Sequence, residues 1–184
     1  MGKLIIVSGA ARSGKSLFAE KLAAGMDKHV AYLATAQALD REMEERIERH
    51  KKRRPAGWQT FEEQTAVHLV IEKHHPAYKV WLLDCVTLYV SNLLFSVVKD
   101  VHEEKLADKR IEEYIFQSID SLMETVRRLD LTLIAVTNEV GWGLVPPDPL
   151  SRLYRDVVGF VNQKMASHAE EVYLVALGIP VRLK

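Results

Sequence analysis

The segment Gly9-Ala10-Ala11-Arg12-Ser13-Gly14-Lys15-Ser16 has the spacing G-x-x-x-x-G-K-[ST]. Glycines at its two ends let a backbone curl until several N–H groups converge on one anion. A lysine ammonium at the sixth step beyond the first glycine can reach the outer phosphates of a nucleoside triphosphate, and the hydroxyl after it can ligate the accompanying Mg²⁺. An apolar run, Leu4–Ser8, precedes the segment, and a helical pattern, Ser16–Gly25, follows it. That setting distinguishes a phosphate loop from a chance match in a turn, because the positive end of the helix then points at the same anion. On this reading all eight residues bind nucleotide, Lys15 takes part in catalysis and Ser16 is a metal ligand.

A second metal ligand is expected at the end of a neighbouring strand. Val80-Trp81-Leu82-Leu83-Asp84 ends in a carboxylate that can hold Mg²⁺ or its water. The same Asp84 can also cap the helix that starts directly after it, and the two roles can coexist.

A third group lies further along. Asp40 reads as a helix N-cap, with Glu42, Glu44 and Glu45 in the first turn and Pro55 ending the helix near Arg54. Steps of four, three and four place Met43, Ile47, His50 and Arg54 on one face. Lys51, Lys52, Arg53 and Arg54 surround His50 in the last turn. Three readings follow: a core-edge histidine at a helix C-terminus, a phosphate-binding patch, or a nucleophilic imidazole flanked by cations that hold phosphate oxygens in line. Nearby cations disfavour imidazolium, which keeps such a nucleophile neutral.

The elements that must position these groups alternate. Short apolar runs at Leu4–Ser8, Val30–Thr35, Lys79–Asp84, Leu131–Thr137 and Glu171–Ala176 are nearly continuous, the mark of strands buried on both faces. Helical stretches at Ser16–Gly25, Asp40–Arg54, Val86–Val98, Glu103–Leu129 and Leu150–Ala169 separate them. The pattern predicts an α/β fold with a mostly parallel sheet flanked by helices. Val181–Leu183, after Gly178-Ile179-Pro180, predicts a C-terminal edge strand reached through a tight turn. Gly25 is expected to end the first helix, and Phe18 and Leu22 to pack it on the sheet. The Gly- and Pro-rich stretch from Glu139 to Pro149 leaves the C-terminal end of a strand, the edge where open α/β sheets bind ligands.

Length and composition fit this picture. The 184 residues suit one domain, 1–184, with no linker or repeat. Hydrophobic residues at 48% and charged residues at 27% exclude a disordered or fibrous class. Lys and Arg balance Asp and Glu at 25 each, so no overall basic footprint for nucleic acid exists. One cysteine, Cys85, permits no internal disulfide, and no apolar stretch is long enough to span a bilayer or form a signal peptide core. A cytoplasmic location is expected.

Several segments taken together resemble one family: Gly9–Ser16, Tyr32-Leu-Ala-Thr-Ala36, Asp40-Arg-Glu-Met-x-x-Arg46-Ile47-x-x-His50, Arg54-x-x-x-Trp58-x-Thr60, Leu83-Asp-Cys-Val-Thr-Leu88, Ser91-Asn-Leu-Leu94, Thr137-Asn-Glu-Val-Gly141 and Arg155-Asp-x-x-Gly159-x-x-Asn162-Gln163. They are similar to the bifunctional adenosylcobinamide kinase / adenosylcobinamide-phosphate guanylyltransferases of cobalamin biosynthesis. The resemblance runs from residue 4 to the C-terminus and implies a RecA-like P-loop fold. It implies two steps: a nucleoside triphosphate, ATP or GTP, phosphorylates the aminopropanol hydroxyl of adenosylcobinamide. GTP then transfers GMP to adenosylcobinamide phosphate through a GMP-histidine intermediate, giving adenosylcobinamide-GDP and pyrophosphate. His50 matches the reactive histidine. Nucleotide contacts map onto Gly9–Ser16, Ala34, Thr35, Ala36, Lys51, Lys52, Arg53, Arg54, Glu62 and Asp84. Mg²⁺ as cofactor and a homo-oligomer, taken as a trimer, are implied as well.

The chain departs from the pattern twice. Ala10 stands where a second glycine is frequent, a change tolerated unless the position needs a positive φ. Arg49-His50 stands where some relatives carry two histidines, and His50 alone shares the face of Met43 and Ile47. Asn138 and Glu139 could touch substrate or metal, or cap their loop. Arg152, Arg155 and Asp156 read as surface ion pairing, and Trp58 and Trp81 as packing. Trp142, between two glycines, is the candidate for contact with the corrinoid. His74-His75 reads as an exposed loop lacking the partners of a zinc site, and Cys85 as buried and inert. Two other functions compete: a plain small-molecule kinase with no covalent intermediate, and a regulatory GTPase, for which the guanine-reading Asn-Lys-x-Asp motif is missing from the sequence.

Overall fold

The near-continuous aliphatic runs become strands whose alternate side chains feed two separate cores. A computed structural model describes residues 1–38, 40–98 and 109–184; the side chains of Glu42, Arg46 and Arg53 lie outside the description. Among the described residues the strands are β1 (Lys3–Ser8), β2 (Val30–Ala34), β3 (Gln59–Glu62), β4 (Val80–Asp84), β5 (Thr132–Val136), β6 (Glu171–Ala176) and β7 (Ile179–Arg182). They form a single sheet in the order β3-β2-β4-β5-β1-β6-β7. Every neighbouring pair is parallel except β6 and β7.

The helices are α1 (Lys15–Met26), α2 (Arg41–Arg53), α3 (Val67–His74), α4 (Val86–Val98), α5 (Lys109–Arg128) and α6 (Pro149–His168). On one face Leu4, Ile6, Leu33, Trp81, Leu83, Leu133 and Ala135 pack under α3 to α6. The opposite residues, Ile5, Val7, Tyr32, Leu82, Ile134 and Val136, pack under α1. This period-two division is why each run is apolar throughout. No described helix is long and apolar enough to cross a membrane.

Several expectations need correction. Gly25 lies inside α1, which runs to Met26 and is capped by Asp27. Phe18 and Leu22 do pack α1 on the sheet as expected, half-buried at its margin, and the fully buried Ala19 and Ala23 seat it beside them. His74 and His75 are not an exposed loop. His74 ends α3 with its ring 4.6 Å from that of Phe61, and His75 opens a 3-10 turn. The expected helix Glu103–Leu129 is described from Lys109, and its first residues, 103–108, fall outside the description. Both β3 and α3 went unread in the sequence.

The edge strand is as expected but starts earlier, at Ile179. Leu177 and Gly178 form the two-residue hairpin loop, with φ of 54° and 79°. Positive φ at both central residues is what a tight hairpin following the sheet's twist requires.

Trp81 anchors the larger core. It is fully buried, stacks 5.5 Å from Phe61, and donates its indole N–H to Tyr78 O at 3.1 Å. Trp81→Ala should cost about 3–5 kcal/mol. For a chain of this length that is a fall in melting temperature of roughly 6–20 °C, read by calorimetry. A shift within about 2 °C would show that the core closes over the loss.

Candidate functional site

The phosphate loop is shaped by its glycines. Gly9 has φ 157°, and a Cβ there would meet Val175 O at 2.5 Å and Ser13 Oγ at 2.6 Å. Gly14 stands at the N-cap of α1 with φ 96°, and no side chain caps the helix. Arg12 takes φ 58°, while Ala10 keeps a negative φ, so alanine brings no backbone strain at the position where it departs from the family pattern. Lys15 is buried and folds its ammonium back onto Ala10 O at 3.1 Å. Ser13 Oγ is buried without a hydrogen-bond partner.

These features fit a phosphate group. Uncapped N–H groups at a helix start, an orphaned hydroxyl and an ammonium resting on the loop's own carbonyl are satisfied together by one anion. The hairpin after β6 braces the loop, since Gly178 N–H donates to Ser13 O at 2.8 Å.

Asp84 ends β4, with β5 lying between that strand and β1. Its Oδ2 accepts from the Tyr32 hydroxyl at 2.8 Å and lies 3.7 Å from His50 Nδ1. Burial, and then the Asp84 carboxylate, hold the Tyr32 phenol well above its ordinary range, so it stays a donor. The donors suited to Mg²⁺ here, the Ser16 hydroxyl and the Asp84 carboxylate, are hard oxygens. No group of three metal-binding side chains occurs among the described residues. An Mg²⁺ ion held by these two side chains would take its other ligands from substrate phosphates and water.

Beside Asp84 opens a cavity of about 450 Å³. Met43, Ile47, His50 and Arg54 line it together, with Lys51, Ala34, Ala36, Glu62 and Asp84 around them. The α2 stripe read from the spacing therefore faces a cavity and not a closed core. Asp40 caps α2 by accepting from Met43 N–H at 2.7 Å. Arg54 lays its guanidinium carbon 3.4 Å from the Tyr32 ring centroid and donates to Thr60 at 2.9 Å, while its Nε is buried without a partner. Lys51 pairs with Glu62 at 3.0 Å on the rim.

Not every candidate converges. Lys52 lies on the outer face of α2 with Arg49, away from the cavity. The Arg53 side chain lies outside the described residues. Thr35 is fully buried, and its Oγ1 donates to Cys85 O at 2.8 Å and accepts from Cys85 N–H at 2.9 Å, so it braces the strand ends. Cys85 is buried, its thiol pushed up by burial and by the Asp84 carboxylate, as suits an inert cysteine. Arg155 pairs with Asp156 at 2.8 Å, whereas Arg152 holds the carbonyls of Pro146 and Pro147. Trp142 is exposed.

Sequence reasoning assigned Tyr32 no role. Its signal was a phenol inside an otherwise aliphatic buried strand, which must find a hydrogen-bond partner. Asn92 was also missed. It donates to Thr35 O at 2.8 Å and Gln64 O at 3.3 Å, tying α4 to the cavity wall.

Comparison with known proteins is consistent with this geometry. Residues 5–183 match the family model described as cobinamide kinase / cobinamide phosphate guanyltransferase. The bifunctional adenosylcobalamin biosynthesis protein CobU of Escherichia coli (strain K12) is 42% identical over 181 residues, 98% of this chain and 99% of that one. The protein CobP of the same description from Pseudomonas aeruginosa is 39% identical, over 97% of this chain and 96% of that one. Among solved structures, the RadB recombinase superposes with a TM-score of 0.52 at 13% identity, covering 94% of this chain and 74% of the other. At that identity the likeness concerns the fold, which is of the RecA-like P-loop kind.

Proposed function

From the premise that the chain belongs to the cobinamide kinase / cobinamide phosphate guanyltransferase family, we propose how its two activities share one nucleotide site. The protein is a bifunctional enzyme of cobalamin biosynthesis, a kinase and a guanylyltransferase. In the first step the γ-phosphoryl of ATP or GTP, held by Gly9–Ser16, passes to the aminopropanol hydroxyl of adenosylcobinamide. Positioning and charge neutralisation carry such a transfer. Ser16 and Asp84 would hold Mg²⁺, which when bound would neutralise the phosphate oxygens.

In the second step His50 attacks the α-phosphorus of GTP. The N–P bond forms, the α–β bridge breaks and pyrophosphate leaves from the loop. Adenosylcobinamide phosphate then displaces the histidine, giving adenosylcobinamide-GDP. Asp84, 3.7 Å away on the Nδ1 side of the ring, supports attack by Nε2 and favours the imidazolium character that would develop. Lys51 and Arg54 hold the nucleotide's phosphate oxygens. The single observation carrying this reading is His50 on the cavity wall 3.7 Å from Asp84. Incubation with Mg²⁺ and GTP labelled at the α-phosphate, without corrinoid, tests it. An acid-labile, base-stable label on the protein is expected, and no label would end the covalent route through histidine.

The exposed edge strand β7 supports an interface there for the homo-oligomer, a trimer in this reading. Ile179 and Val181 of this edge strand, with Leu183 just beyond its end, recur at every second residue and are 64%, 50% and 63% exposed. Sedimentation velocity should show an oligomer that Val181→Lys shifts toward monomer. A monomeric natural protein would end this assignment.

A further inference from the structure

One carboxylate beside the phosphate loop has no part in the scheme above. Glu139 follows β5, the strand next to β1, and its own N–H donates to Gly9 O at 3.3 Å. Ser8 Oγ donates to its Oε1 at 2.5 Å and Asn162 Nδ2 at 3.3 Å. Asn162 is itself fixed, accepting from Thr137 Oγ1 at 2.6 Å and donating to Asn138 O at 3.0 Å. The side chain is therefore clamped between β1 and α6, with both hydrogen bonds on one oxygen. Asn138, its neighbour, turns the other way and donates to Thr87 on α4 at 2.8 Å. The strand tip thus divides its work: Asn138 ties the scaffold, and Glu139 stands at the first residue of the phosphate loop.

The two steps differ in what they require of such a group. An alcohol must lose its proton as it bonds to phosphorus, so phosphoryl transfer benefits from a base. The guanylyl acceptor is a phosphate that is already anionic and needs none. Three other acids at this edge are otherwise engaged. Asp84 faces His50 and Tyr32, Glu62 pairs with Lys51, and Glu63 accepts from the N–H groups of Thr65 and Ala66. Exposed Trp142, Leu144 and Val145 continue the same loop and offer apolar surface to a large ring system.

Resting on the bifunctional reading, we propose that Glu139 is the general base of the kinase step and that the acceptor alcohol approaches from the β5 side of the phosphate loop. The hydroxyl oxygen bonds to the γ-phosphorus, the bond to the β,γ-bridging oxygen breaks, the nucleoside diphosphate leaves, and the hydroxyl proton passes to Glu139 Oε2.

Glu139→Gln is the test, because an amide oxygen can still accept from Ser8 and Asn162 while no longer taking a proton. With cobinamide and γ-labelled ATP, kcat is expected to fall about 100-fold or more with the nucleotide KM within about threefold. Self-labelling by α-labelled GTP is the second readout and should persist. Kinase turnover within about threefold of the natural protein would overturn the proposal. So would equal losses of turnover and labelling, the mark of a structural role. If the natural protein itself does not label, the histidine mechanism fails while the kinase comparison still decides the role of Glu139, with nucleotide affinity reporting an intact loop.

Discussion

His50→Ala is expected to abolish transfer of GMP, by at least about 10³-fold, while phosphorylation of cobinamide continues at close to its natural rate. The magnitude follows from what is removed. A covalent route splits one displacement into two, and the alanine variant keeps the nucleotide pocket but loses the nucleophile. The geometry argues for this residue in particular. His50 shares its face with Met43, Ile47 and Arg54 on the cavity wall, and its Nδ1 looks toward Asp84 Oδ2. Arg49, its neighbour at the end of α2, has no nucleophilic nitrogen, is exposed and bends back to Glu45 O. Two readouts are needed: α-label retained on protein, and γ-label transferred to corrinoid. Label persisting on the alanine variant would keep the chemistry and reassign the nucleophile, whereas loss of both activities would mark His50 as part of the shared nucleotide pocket.

Lys15→Ala carries the second large effect, because it strikes both steps. The ammonium lies at the mouth of α1 against Ala10 O and is positioned to exchange that carbonyl for phosphate oxygens. Removing one such stabilising group from a sequestered site costs about 10²–10³-fold. If a single phosphate loop serves both reactions, kinase turnover and self-guanylylation should fall together by that amount, with the melting temperature little changed. Loss of kinase turnover with self-guanylylation intact would mean that GTP is held elsewhere during the second step. The pair of variants thus separates the shared part of the site from the part owned by one reaction.

Much of this is legible in the sequence alone. The strand from Glu171 to Ala176 and the helix from Val86 to Val98 fall where the pattern put them. The reason is local: buried parallel strands must be apolar on both faces, and helical periodicity is carried by every turn. β3 was illegible for the opposite reason. Gln59–Glu62 is short, polar but for Phe61 and half exposed, and it is a strand through parallel pairing with β2 at Ala31 to Ala34. Nothing in its own residues demands that state.

The same division runs through the site. The type and spacing of Gly9–Ser16 determined a phosphate loop, since the glycines answer backbone demands that only glycine meets freely. The four-three-four steps of α2 determined that Met43, Ile47, His50 and Arg54 face one way. What they face was a tertiary matter. Only the order β2-β4-β5-β1 brings Asp84 beside Tyr32 and His50, and Glu139 beside Gly9, because strands distant in sequence become neighbours by pairing and not by any signal either carries. Periodicity fixes direction within an element. Which chemical group stands opposite is decided when sheet order and helix packing close the distance.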